Sequence, residues 1–277
     1  MRRLVLNDGT EIPVIGQGTW RMGERPAERK AEVAALQAGI DLGLTLIDTA
    51  EMYGNGGAEE VTGEAIKGRR DAVYLVSKVL PSNASHAGTI KACEQSLKRL
   101  GTDHMDLYLL HWRGQYKLAD TLQAFQELRQ AGKIRAFGIS NLDVNDMKEW
   151  LALPGGGDAV ANQVLYNVGV RGPEYDLAPL MAKAKIALMA YCPLAQGEVG
   201  GFNKLEPIAQ RHNATVAQIM LAWATRNPLS FAVPKSRNIA RLKENAAAGD
   251  IVLNPQDLAE IDATFPAPKK AVPLEMT

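Results

Sequence analysis

Apolar residues recur along this chain in two alternating rhythms. Short runs rich in branched and aromatic side chains, namely LTLID, AVYLVSK, MDLYLLH, IRAFGIS, AVANQVLYN, IALMAYCPL and LSFAVPKS, read as strands. Segments with helical spacing separate them: AERKAEVAALQAGIDLG, GGAEEVTGEAIKG, TIKACEQSLKRLG, TLQAFQELRQAGK, VNDMKEWLAL, a stretch around APLMAKAK, TVAQIMLAWATRN and NIARLKENAAAG. Several of these end on a glycine, the usual helix stop. Ahead of the series, LVLNDGTEIPV reads as a hairpin turned at Asp8–Gly9, and IGQGTW as a first short strand.

Apolar strands alternating with amphipathic helices imply an α/β fold in which helices cover a parallel sheet. The strand ends fall at Asp48, Lys78, His111, Ser140, Gln163, Tyr191 and Pro234, mostly spaced by about 30 residues, the length of one strand–helix–strand unit. Counting IGQGTW, there are eight units in 277 residues, which favours a closed (β/α)8 TIM barrel over an open sheet. No linker interrupts the alternation. The expectation is a single domain over residues 1–277, with the N-terminal β-hairpin closing the bottom of the barrel.

Composition narrows the partner. Thirty-one basic residues balance 31 acidic ones, so no global field draws in nucleic acid or a membrane surface, and a small molecule is expected instead. Cys93 and Cys192 are too few for a disulfide framework or a zinc site, which fits a reducing cytoplasm. The opening MRRLVLNDGTEIPV breaks at Asn7–Asp8–Gly9 and reads as no signal peptide, and no later apolar run approaches membrane-spanning length. With four histidines and no carboxylates at ligand spacing, no metal is expected.

Each strand is apolar along its body and turns polar or aromatic at its C-terminal end, the rim where barrel enzymes build their sites. Taken singly, each residue has a structural explanation: Asp48 as a turn former, Lys78 as a snorkelling strand residue, His111 as a core histidine. Asp48, Lys78 and His111, however, end three successive strands and should converge. Tyr53, in the glycine-rich loop after Asp48, adds a phenol. Its ordinary pKa of about 10 is too high for efficient proton donation. A neighbouring ammonium is expected to lower it, with a carboxylate holding that ammonium in place. Such a set suits protonating an alkoxide as it forms from a carbonyl, and it lacks a hydride source.

A cofactor must supply the hydride. The dinucleotide fingerprint is absent: GQG is a fragment, and GNGG runs into Glu59–Glu60, which would repel phosphate. The better anion site is VPKSRNIARLKEN, residues 233–245, where Lys235, Ser236, Arg237 and Arg241 surround a helix start. One turn on, Glu244 and Asn245 suit an adenine edge. Ser140, Asn141 and Gln163 offer partners for a carboxamide, and Tyr191 a face for a nicotinamide ring.

These pieces in this order resemble the aldo-keto reductase family along nearly the whole chain, through DTAEMYGN, LVSK, MDLYLLHW, GISN, NQVLYN and KSRNIARLKEN. The resemblance implies Tyr53 as general acid, Lys78 and Asp48 as its tuning pair, and His111 as the group that orients the carbonyl. It implies NADPH lying across the rim, with its 2′-phosphate at Lys235, Ser236 and Arg241. Arg237 stands where other members often have an uncharged residue, which implies stronger phosphate recognition. Further cofactor contacts are implied at Gly18, Thr19, Trp20, Asp48, Pro193, Leu194, Gln196, Gly197 and Asn238, and at Cys192, which replaces the usual serine. Trp20, Met52 and Trp112 are expected to wall the substrate pocket. Because only 15 residues follow Asp262, the closing C-terminal loop of larger members is expected to be missing and the cleft open. TAEMYGNGGAEEV and LPGGG resemble bacterial members that reduce methylglyoxal and related α-dicarbonyls. A monomer that reduces small carbonyls is the expectation. Two alternatives are a Schiff-base lyase of the class I aldolase type, built on Lys78, and a non-enzymatic NADPH-sensing subunit.

Overall fold

In the computed structural model, which describes residues 1–197 and 200–277, the chain opens with an antiparallel pair, β1 (Arg3–Val5) and β2 (Glu11–Pro13). Eight strands follow: β3 (Gln17–Gly18), β4 (Leu46–Asp48), β5 (Tyr74–Val79), β6 (Met105–Leu110), β7 (Ile134–Ser140), β8 (Ala161–Leu165), β9 (Ala187–Tyr191) and β10 (Ser230–Ala232). They form one parallel sheet in chain order. The first and last meet again through bridges from Ile15 to Ala232 and from Gly18 to Lys235. Gly16 N–H donates to the Ala232 carbonyl (2.9 Å) and Gly18 N–H to that of Pro234 (3.0 Å), so the sheet closes into a barrel. The seam is tight: a Cβ on Gly18 would lie 2.7 Å from the Val233 carbonyl oxygen, and only glycine permits that approach.

The helices are α1 (Arg29–Asp41), α2 (Gly57–Ile66), α3 (His86–Leu100), α4 (Leu118–Gln130), α5 (Val144–Ala152), α6 (Leu177–Lys183), α7 (Glu206–Arg211), α8 (Val216–Ala224), α9 (Ile239–Ala248) and α10 (Pro255–Thr264). Their starts follow capping chemistry. The Ser85 side chain accepts from Gly88 N–H, which starts α3 three residues ahead of the TIK expected from periodicity. Asp143 caps α5, and Thr215 with Gln218 forms a reciprocal box on α8. Helices α7 and α10 lie outside the pattern read from the sequence. The second had a legible signal, since Asn254 and Asp257 form a capping box with Pro255 at the first helical position.

The hairpin sits at the N-terminal end of the barrel, as expected. Leu4 and Ile12 pair across it and are buried, and Asn7 Nδ2 donates to the Ala159 carbonyl (2.9 Å), two residues ahead of β8. All six positions of β6 are buried, as a parallel strand covered on both faces should be. At the opposite end the buried residues change character: Asp48, Lys78, His111, Ser140 and Gln163 are at most 7% exposed. Buried charges and amides of that kind persist only when partnered.

Candidate active site

The partners form one connected set. Lys78 Nζ lies 2.8 Å from Asp48 Oδ1, donates to the Thr49 carbonyl at 2.8 Å, and donates to the Tyr53 hydroxyl at 3.2 Å. Asp48 Oδ1 also accepts from Gln163 Nε2 at 3.0 Å. The Tyr53 and His111 rings meet edge to face, 5.8 Å between centroids, and the Lys78 ammonium sits 4.7 Å from the Tyr53 ring centre. Tyr53 reaches this point because Gly54 and Asn55 turn the chain with positive φ (57° and 52°) directly after it.

Electrostatics fix the protonation states. Burial works against the Lys78 ammonium, but the Asp48 carboxylate and the Tyr53 phenol outweigh it, and its pKa rises. The same burial pushes the Asp48 carboxyl up against the pull of Lys78. The 2.8 Å contact, with Gln163 donating to the same oxygen, favours the ionised pair. Tyr53 corrects an expectation. Lys78 does pull its phenol down, but burial is the larger effect and Asp48 adds to it, so the pKa lies above rather than below its ordinary value. The phenol is therefore protonated throughout the neutral range. Burial and then Lys78 drive His111 down from 6.5 to about 2, so its imidazole is neutral. Its Nδ1 is buried without a hydrogen-bond partner.

A cleft of about 460 Å3 opens over this set. Of the anticipated residues, Gly18, Trp20, Asp48, Met52, Tyr53, His111, Trp112, Asn141, Gln163, Tyr191, Cys192, Pro193, Leu194, Gln196 and Lys235 line it. Thr19 and Ser140 do not. They are fully buried behind the rim, donating to the carbonyls of Asp48 (3.0 Å) and Gln163 (2.9 Å). Gln163 is committed to Asp48, whereas Asn141 Nδ2 donates to the His111 carbonyl and its Oδ1 accepts from the Tyr191 hydroxyl at 3.1 Å. Arg21, Asn141, Cys192 and Gln196 all take positive φ (63°, 56°, 47° and 52°), backbone strain of the kind that surrounding structure sustains at functional rims.

The candidate phosphate segment lines the cleft as far as Lys235 and then leaves it, with Ser236, Arg237, Asn238, Arg241, Glu244 and Asn245 outside the lining, as is Gly197. Lys235 is exposed and makes no ion pair among the described residues. Partial burial, then Arg237, pushes its pKa down, which is the environment an anion would relieve. Asn238 caps α9, accepting from Ala240 and Arg241 N–H, while Asn245 is buried on that helix. Arg237 departs from expectation: its guanidinium is paired with Glu28, so it is not a free phosphate ligand.

The cleft wall also includes a segment that the sequence reading left out. The extended segment after α10 passes Gly172, where Val272 packs, and brings Met276 and Thr277 into the cleft wall. Thr277 lies against Tyr191 and Cys192. Short as it is, the tail reaches the site. Sequence reasoning missed these two residues, and it missed the Thr49 carbonyl because a main-chain acceptor leaves no trace in residue type.

A barrel with these groups at its C-terminal rim defines an oxidoreductase class, and comparison with known proteins agrees. Residues 14–265 match the Aldo/keto reductase family model, and the chain belongs to that family. It is 51% identical over 270 residues to methylglyoxal reductase YeaE of Escherichia coli, covering 96% of this chain and 95% of that one. It is 35% identical to a glyoxal reductase of Bacillus subtilis, covering 93% and 91%. A crystal structure of an aldo-keto reductase from Klebsiella pneumoniae in complex with NADPH superimposes with a TM-score of 0.97 at 48% identity, covering both chains fully.

Proposed function

We propose that this chain is an NADPH-dependent reductase of small carbonyl compounds, above all α-dicarbonyls such as methylglyoxal, diacetyl and diketo-sugar acids. It acts as a single barrel unit, monomeric and cytoplasmic. The observation that carries the reading is the Tyr53 hydroxyl, held 3.2 Å from a lysine that is itself locked to a buried carboxylate, inside a cleft walled by His111, Trp20 and Trp112.

The residues fit the cofactor. The unpaired Lys235, with Ser236 and Arg241, would hold the 2′-phosphate; Glu244 and Asn245 would flank the adenine; Asn141 and Tyr191 would meet the nicotinamide end. Bound there, the reduced nicotinamide supplies a hydride. The chain's own groups do the rest. Tyr53 donates its proton to the carbonyl oxygen as negative charge develops on it. The Lys78 ammonium stabilises the phenolate left behind, and Asp48 keeps that ammonium charged and fixed. Neutral His111, with no proton to lose at working pH, gives one N–H to the carbonyl oxygen and orients it.

Two features argue against a Schiff-base lyase. Lys78 is held charged, so it has no lone pair for attack, and its hydrogens are committed to Asp48, Thr49 and Tyr53. Both cysteines are free, and no described helix is long and apolar enough to cross a membrane. In a panel assayed by loss of NADPH absorbance, methylglyoxal and diacetyl are expected to turn over well and bulky steroid ketones poorly, because Met276 and Thr277 further narrow the cleft. A steroid ketone reduced faster than every small dicarbonyl would overturn the substrate class.

A further inference from the structure

The pairing of Arg237 with Glu28 joins two segments that are distant in sequence, the turn entering α1 and the phosphate segment entering α9. Glu28 is not on a free loop. It ends a short 3-10 turn, Pro26–Glu28, that begins with proline and runs directly into α1. Its other carboxylate oxygen meets Arg25 at 3.4 Å, and its side chain is 28% exposed. The cations facing this point are Arg21, Arg25, Lys235 and Arg237. The other carboxylate nearby, Glu32, is fully buried and accepts from Gly23 N–H at 2.9 Å. Of the two carboxylates, Glu28 is thus the one a ligand's charged end would meet.

We infer that Glu28 is a cofactor-selectivity residue, whose carboxylate restrains Arg237 and so narrows the preference for a 2′-phosphorylated over a 2′-hydroxyl adenosine. The inference rests on the proposed NADPH-binding reading of the same segment. Two effects act in the same sense. A phosphate dianion arriving at Lys235 must compete with Glu28 for Arg237 and bears the repulsion of a carboxylate beside it. A ribose hydroxyl feels neither and gains an acceptor, the role an acidic residue plays where NADH is the ligand. Arg237 alone would sharpen the choice of NADPH; Arg237 held by Glu28 blunts it.

Glu28→Gln keeps the shape and removes the charge. Both cofactors should be titrated into wild type and variant by quenching of protein fluorescence, with ligand-free unfolding midpoints compared to exclude a general loss of structure. The variant should bind NADPH more tightly and NADH more weakly, raising the ratio of their dissociation constants about 3- to 10-fold, the scale of a partly exposed charge pair. An unchanged ratio, or both affinities moved by the same factor, overturns the inference while leaving the proposed function intact. A fall in the ratio also overturns it, since Glu28 would then be positioning Arg237 for phosphate. If wild type binds neither cofactor, the proposed function fails and this inference fails with it.

Discussion

Replacing Tyr53 with phenylalanine is expected to lower turnover about 10²–10⁴-fold, the usual weight of a positioned general acid. The substitution deletes only the hydroxyl. The ring keeps its edge contact with His111 and its place beside the Lys78 ammonium, so neither the fold nor the cleft should change shape. Removing the hydroxyl leaves Lys78 two of its three oxygen partners, Asp48 and the Thr49 carbonyl. NADPH affinity should therefore be nearly unaltered, and the loss should fall on turnover. Steady-state kinetics with methylglyoxal, combined with an NADPH titration, checks both halves. A variant that keeps most of its turnover would remove Tyr53 from the role given to it.

Lys78→Met should be comparably damaging to turnover and should also destabilise the fold. Methionine approximates the lysine stem but leaves Asp48, 3% exposed, without its counter-charge. Breaking one side of a buried ion pair costs about 3–5 kcal/mol. The pH dependence has a definite sign. Without Lys78, burial is opposed only by the Gln163 hydrogen bond, and the folded-state pKa of Asp48 lies further above its unfolded value. The folded variant then binds the extra proton, so its stability is greatest at acid pH and is lost as pH rises through that raised pKa. Urea unfolding at several pH values measures this. Adding Asp48→Asn should recover stability and abolish its pH dependence without recovering turnover. Recovery of both would mean that the pair is structural and takes no part in the reaction.

Much of this was legible because the barrel writes its topology into the chain. Strands buried on both faces must be apolar throughout, so a polar residue ending each one, from Asp48 to Lys235, stands out without any coordinates. The hairpin was equally plain in its Asp8–Gly9 turn. What could not be read is set by the surroundings of each group rather than by its type. The sequence places an ammonium near Tyr53, but not how deeply both are buried, and burial reverses the direction of the phenol's shift. The sequence shows Arg237 beside Lys235, but Glu28 is 209 positions away and nothing local marks them as partners. Gln163 reads as an amide for a cofactor, and the sequence does not show that its Nε2 also donates to Asp48 at 3.0 Å. The tail's place in the cleft wall was not legible either. An extended chain covers over 3 Å per residue, and residues 266–277 suffice to bring Met276 and Thr277 to the cleft.

The central claim is that protonated Tyr53, and not His111, delivers the proton. The pH dependence of single-turnover reduction tests it most directly, using the preformed NADPH complex mixed with methylglyoxal and followed by loss of NADPH absorbance. Burial holds the phenol above its ordinary value and the imidazole down at about 2. The account therefore predicts a rate that is level through the neutral range and falls only on the alkaline side, above about pH 10, as the phenol loses its proton. A rate that falls with rising pH near about 6.5, the range of an ordinary histidine, would contradict it and make His111 the acid.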